Sequence, residues 1–180
     1  MEKKELELYI HIPFCVRKCN YCDFLSFPAD EDTQRQYVKA LCKEIFYYGA
    51  HCRDYVVSTV YIGGGTPSWL WESDMAEIMD AVHKNFALLP DAEVSVECNP
   101  GTVTAQKFAV YRQSGINRIS LGLQSAQNVE LKMLGRIHTW EQFLKTYELA
   151  RAGGFSNINV DLMSSLPGQH MESYADSLQK

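Results

Sequence analysis

The chain has 180 residues, of which 46% are hydrophobic and 22% charged, with a formal net charge of −5. That length suits one domain able to bury a core, the composition is globular rather than disordered or fibrous, and the lack of a basic excess argues against a nucleic-acid partner. No stretch approaches the roughly 18 apolar residues of a membrane span, and the charged start Met1-Glu2-Lys3-Lys4-Glu5 is no secretory signal, so a cytosolic, reducing location is expected.

The first strand is read over 6–12, with Leu8, Ile10 and Ile12 on one face and Glu7, Tyr9 and His11 on the other. Directly after it come Cys15, Cys19 and Cys22, spaced C-x-x-x-C-x-x-C. A loop this tight can fold three thiolates round one metal centre, one fewer than the four that close a four-iron cluster. An open position marks a reactive metal site rather than a structural one. Two readings stand side by side: an iron–sulfur centre that leaves one iron to a chelating small molecule, and a tetrahedral zinc site completed by His11. Cys42, Cys52 and Cys98 read as small buried hydrophobes or incidental thiols, and the six cysteines do not form the pattern of a stapled secreted domain.

Beyond the cysteines, helices are read over 32–50, 72–87, 104–114 and 139–152, alternating with strands over 56–62, 93–98, 117–123 and 157–163. A last helix runs from His170 to Lys180. Thr139 and Gln142 form a capping box, Gly153-Gly154 ends that helix, and Thr104 and Ser73 are read as caps of earlier ones. The exits Gly115-Ile116-Asn117 and Gly154-Phe155-Ser156-Asn157 resemble each other, as repeated βα units would. The alternation of strand and helix predicts an α/β domain with a parallel sheet. Several strands alternate apolar and polar residues, where a buried parallel strand is apolar on both faces. Two arrangements produce that: a barrel with apolar residues under its helices and a polar, ligand-binding interior, or a sheet with one wet face. The chain stops after the fifth strand, so a barrel here is open or the chain is a fragment, and the free edge of strand five is expected to promote self-association.

Two further features carry chemistry. Tyr61-Ile62-Gly63-Gly64-Gly65-Thr66-Pro67 follows a strand directly, and its glycines expose backbone groups either to a ligand or merely to a tight turn. It lacks the lysine ending of a phosphate loop. Glu97, Gln124 and Asp161 fall at strand C-terminal ends, where parallel α/β folds put their sites. With Arg136 they provide acceptors for an ammonium group or ribose hydroxyls and a guanidinium fork for a carboxylate.

Taken in order, Y-I-H-I-P-F-C-x-x-x-C-x-Y-C, G-G-G-T-P, E-C-N-P-G-T, G-L-Q-S, L-G-R-I-H and D-L-M-x-x-L-P-G-Q resemble the radical S-adenosylmethionine superfamily. Within it they resemble the HemN/HemW family of oxygen-independent coproporphyrinogen III oxidases and related heme chaperones. The resemblance implies a partial parallel (β/α)6 radical-SAM barrel, truncated here after the fifth strand, over residues 1–180. It implies a [4Fe-4S] cluster on Cys15, Cys19 and Cys22, with S-adenosylmethionine chelating the remaining iron. Tyr9, Tyr21, Gly64, Gly65, Thr66, Glu97, Gln124, Arg136 and Asp161 would line the cofactor site. The oxidases carry a further cysteine two residues after the third and a longer N-terminal extension. Here that position is Phe24, and 14 residues precede Cys15. The resemblance therefore implies the heme-chaperone branch, with heme or porphyrin as cargo, a low-potential electron donor, a heme-acceptor protein, and heme contacts beyond Lys180. The alternatives are a coproporphyrinogen oxidase using a 5′-deoxyadenosyl radical and a structural zinc-binding α/β module.

Overall fold

The computed structural model describes residues 4–180. Five strands, β1 (Lys4–Ile12), β2 (Tyr55–Gly64), β3 (Leu88–Cys98), β4 (Arg118–Gln124) and β5 (Asn157–Leu162), form one parallel sheet in the order β1-β2-β3-β4-β5. Parallel neighbours in strictly sequential order, with the right-handed crossovers such units take, put the crossover helices on one face, as in a barrel wall. A doubly wound sheet would instead reverse its order at a switch point. The helices are α1 (Glu31–His51), α2 (Glu72–Asn85), α3 (Ala105–Gln113), α4 (Asn128–Met133), α5 (Trp140–Ala152) and α6 (Met171–Gln179).

The alternation read from the sequence separates the two faces. Ile10, Ile12, Val60, Ile62, Val94, Val96, Ile119 and Leu121 are buried in the core. They pack under Val38 and Leu41 of α1, Met75 and Ile78 of α2, and Phe108 of α3. Burying side chains of this kind contributes about 1.5–3 kcal/mol each, so this outer face holds the fold together. The inward residues are polar and satisfy one another. Arg118 donates to Ser95 Oγ at 3.0 Å, and Asn159 donates to Ser120 Oγ at 3.1 Å and to Asp161 Oδ1 at 2.7 Å.

Local signals decide the helix ends. Asp30 accepts from the Thr33 N–H at 2.9 Å and Thr104 from the Lys107 N–H at 3.2 Å, each capping a helix N-terminus. The Thr139–Gln142 capping box starts α5. The two matching helix exits share one geometry. Gly115 (φ 88°) and Gly154 (φ 86°) turn the chain left-handed, while Ile116 N–H bonds to Tyr111 C=O and Phe155 N–H to Ala150 C=O.

Two readings need correction, and one element is new. Ser73 is no cap, because α2 starts one residue earlier after Trp71, which makes no side-chain capping bond. β3 begins at Leu88 rather than 93. The Val57 N–H bonds to Ala87 C=O at 2.8 Å and a register shift between Val57 and Thr59 absorbs the extra residues, so Pro90 is tolerated. The short helix α4 was not foreseen.

Candidate functional site

The C-terminal ends of the strands open into a cavity of about 130 Å³. Cys15, Cys19, Cys22, Tyr21, Gly64, Gly65, Thr66, Glu97, Gln124, Arg136 and Asp161 all line it. Of the twelve residues expected to hold the cluster or S-adenosylmethionine, Tyr9 alone is not among the lining. Tyr9 is 61% exposed, and its ring stacks on Tyr61 with centroids 6.3 Å apart.

One side of the cavity is the cysteine loop, held by its backbone. The Cys15 N–H bonds to Phe27 C=O, the Phe27 N–H to Pro13 C=O, and the Asn20 N–H to Leu134 C=O. Arg17 donates to the Gly135 carbonyl at 2.6 Å and the Asn20 amide to the Met133 carbonyl at 3.0 Å, clamping the loop to the turn after α4. The glycine run passes close behind it. A Cβ on Gly65 would stand 2.6 Å from Phe14 O and 3.0 Å from Cys15 Sγ, so only glycine lets β2 and the cysteine loop approach this closely.

The side chains between the thiols and the opposite wall form one chain of hydrogen bonds. Arg136 donates to Cys19 Sγ at 3.6 Å, to Asn99 Oδ1 at 2.8 Å and to the Gly122 carbonyl at 2.7 Å. Asn99 donates to Thr66 Oγ1 at 2.9 Å, and Thr66 in turn donates to Cys15 Sγ at 3.6 Å. Glu97 accepts from Tyr61 OH at 2.8 Å and from the Gly64 N–H at 3.0 Å. Burial, with this bond to Glu97, pushes the Tyr61 phenol well up. Burial also raises the Tyr21 phenol, against the opposing pull of Arg136.

Two neighbours define the chemistry by contrast. Cys98 is 2% exposed and packs in the core, where burial pushes its thiol up to about 12, so it is protonated at neutral pH. His138 is 4% exposed with no hydrogen-bond partner at either ring nitrogen. Burial and the Arg136 charge bring its pKa down to about 4, so it is neutral at pH 7.

The donor set fits a cluster better than a single ion. All six cysteines are free thiols. Among the described residues no three cysteine, histidine or carboxylate groups converge on one ion, whereas a cubane spreads its three thiolates over three irons. His11, the fourth ligand of the zinc reading, has both ring nitrogens engaged, one by Tyr9 OH at 2.9 Å and the other by the Leu25 carbonyl at 2.9 Å. Arg136 Nε is buried without a partner beside the cavity, an orphaned donor of the kind that a bound ligand satisfies. Asn99 and Ser120 line the cavity but were not singled out from the sequence. For Asn99 the available signal was its place one residue after a strand end, in E-C-N-P-G-T.

The model of the Radical SAM superfamily matches residues 9–180. The chain belongs to the radical SAM superfamily. It is 42% identical over 176 residues to the heme chaperone HemW of Escherichia coli (strain K12), covering 97% of this chain and 47% of that protein. It is 36% identical over 173 residues to the heme chaperone HemW of Bacillus subtilis (strain 168), covering 94% of this chain and 45% of that protein. The chain thus spans about half the length of the curated relatives it matches. Among solved structures, the Escherichia coli coproporphyrinogen III oxidase HemN, a radical SAM enzyme, superposes with a TM-score of 0.91 at 31% identity, over 99% of this chain and 42% of that one. The parallel sheet is therefore the truncated radical-SAM core expected from the motifs. No helix among the described residues is long and apolar enough to cross a membrane.

Proposed function

We propose that the cavity is the [4Fe-4S] and S-adenosylmethionine site of a heme chaperone of the HemW kind. The observation that carries this reading is the meeting of three free thiols and the under-satisfied Arg136 on one polar cavity at the strand C-termini. When bound, the cluster and S-adenosylmethionine supply one-electron chemistry at a carbon–sulfur bond. The chain's own part is to hold and orient them. Cys15, Cys19 and Cys22 would ligate three irons, and Glu97 and the Gly64–Thr66 backbone would face the ammonium group. Arg136, Gln124 and Asp161 would complete the polar wall. Arg136 and Thr66, through their bonds to Cys19 and Cys15, put positive charge and a hydroxyl donor next to two ligand sulfurs, which tunes a cluster's potential.

Sequence similarity to HemW proteins supports heme as cargo. The exposed Phe24 on the cavity lining, where the oxidase pattern has a further cysteine, favours the chaperone over porphyrinogen oxidation. On this reading a low-potential donor reduces the cluster and an acceptor protein receives the heme. A reducing, cytoplasmic compartment suits six free thiols.

Anaerobic reconstitution of the complete protein, followed by electron paramagnetic resonance with and without S-adenosylmethionine and by heme titration, tests this. A cluster signal that S-adenosylmethionine shifts, together with stoichiometric heme binding, is expected. Stoichiometric zinc in place of iron, or efficient conversion of coproporphyrinogen III to protoporphyrinogen IX, would overturn it.

A further inference from the structure

Among the described residues two non-glycine residues have positive φ, Gln124 (72°) and Ser165 (60°). Holding such a residue in the left-handed region is unfavourable, and it persists only where the surroundings fix it. Gln124 ends β4 and lines the cavity, and Ser165 lies in the L-P-G-Q loop after β5. Both strained loops converge on one buried carboxylate.

Glu130, on α4, is 6% exposed. Its Oε2 accepts from Ser125 Oγ at 2.6 Å and from Gln169 Nε2 at 3.0 Å, and its Oε1 accepts from Ser173 Oγ at 2.7 Å. Ser125 directly follows Gln124, Gln169 closes the loop that carries Ser165, and Ser173 belongs to α6. Among the described residues no lysine or arginine pairs with this carboxylate. Burial pushes the Glu130 carboxyl up, but the three hydrogen bonds and nearby His170 outweigh it and hold the group down, so it stays an acceptor.

The hold extends to the cavity wall. Gln169 Oε1 accepts from the Leu166 N–H at 3.2 Å, fastening the L-P-G-Q loop to itself. The Met163 N–H bonds to the Gln124 carbonyl at 2.9 Å, joining the end of β5 to that of β4. The wall that presents Gln124 and Asp161 is thereby set from behind by a side chain outside the cavity lining.

We propose that Glu130 is a positioning residue for the cofactor cavity, its carboxylate locking the strained Gln124 turn and the L-P-G-Q loop so that Gln124 and Asp161 face bound S-adenosylmethionine. This rests on the reading of the cavity as a S-adenosylmethionine site.

The test compares the wild-type full chain with E130A, E130Q and Q169L after anaerobic iron–sulfur reconstitution. The readouts are S-adenosylmethionine affinity by calorimetry, iron per chain, and hydrogen–deuterium exchange over 124–130 and 163–169. E130A is expected to weaken S-adenosylmethionine about tenfold or more, as loss of an orienting partner does, and to speed exchange in both loops. Iron content should stay at the wild-type level, because the thiol loop is also held at Phe27 and beside Thr66. E130Q keeps acceptor oxygen and recovers most of the affinity, with Q169L in between. Wild-type affinity in E130A overturns the proposal, as does a loss of iron in proportion to affinity, the sign of general unfolding. If E130A cannot be recovered folded, unchanged affinity in Q169L overturns it. A wild-type chain that takes up iron yet binds no S-adenosylmethionine overturns the functional reading and the proposal with it.

Discussion

The two walls of the cavity are held by different means. The cysteine wall is fixed by peptide groups of Cys15, Asn20 and Phe27 and by the Arg17 and Asn20 side chains reaching backbone carbonyls, and this leaves the three thiols available. The wall of β4 and β5 is fixed through buried side chains, with Glu130, Gln169, Ser125 and Ser173 consuming one another's hydrogen-bonding capacity. Residues that must ligate a metal cannot also be the fasteners of their own loop. Residues that only shape a wall can be, and their strain is tolerated because the web behind them is complete.

The largest expected effect lies on the first wall. Serine at Cys15, Cys19 or Cys22 should abolish cluster assembly, measured as iron per chain and the visible absorption band, while thermal unfolding stays cooperative because the backbone bonds remain. Collapse of the fold with the cluster would break the comparison.

His138, behind the Arg136 side of the cavity, gives the next effect. Its folded pKa of about 4 lies below its ordinary 6.5, so the unfolded chain binds a proton first. Its stability contribution is complete above pH 6.5 and is lost as pH falls towards 4, by about 3 kcal/mol in all. Denaturant titrations of wild type and His138→Phe between pH 4 and 7 should show a steeper loss in the wild type. Equal slopes would mean that the imidazole finds solvent or a partner.

Gly65→Ala sharpens the contrast, because its new Cβ presses on the backbone of the cysteine wall. A destabilisation of about 1–3 kcal/mol is expected, with lowered iron incorporation, both read on the same samples. The smallest effect is expected far from both walls: Thr139→Ala, which removes the α5 cap, should cost about 1 kcal/mol by denaturant unfolding and leave iron content unchanged.

Much of this was legible in the sequence because the signals were local. The Thr139 box and the paired glycine exits are set within a few residues, and alternation along β1, β3, β4 and β5 told the core face from the wet face. Placement of Glu97, Gln124, Arg136 and Asp161 around one cavity followed from strand ends and motifs. What escaped depends on distant partners. Asn128–Met133 is too short to read as a helix, and it is stabilised by contacts from Asn20, 113 residues away from Met133, and from Ser173 of α6. The role of Asn99 arises only when Arg136 and Thr66 arrive on either side of it. Tyr9 has the inward parity of its strand but is not among the residues that line the cavity.

The clamp between the cysteine loop and the Gly135 turn has a consequence for biogenesis. Arg17 and Gly135 are 118 residues apart, so the loop that opens the chain has no finished mould until most of this sequence has been made and folded. On the proposed reading, cluster loading waits for a nearly assembled core, and no finished fold yet encloses the three thiols of a nascent chain.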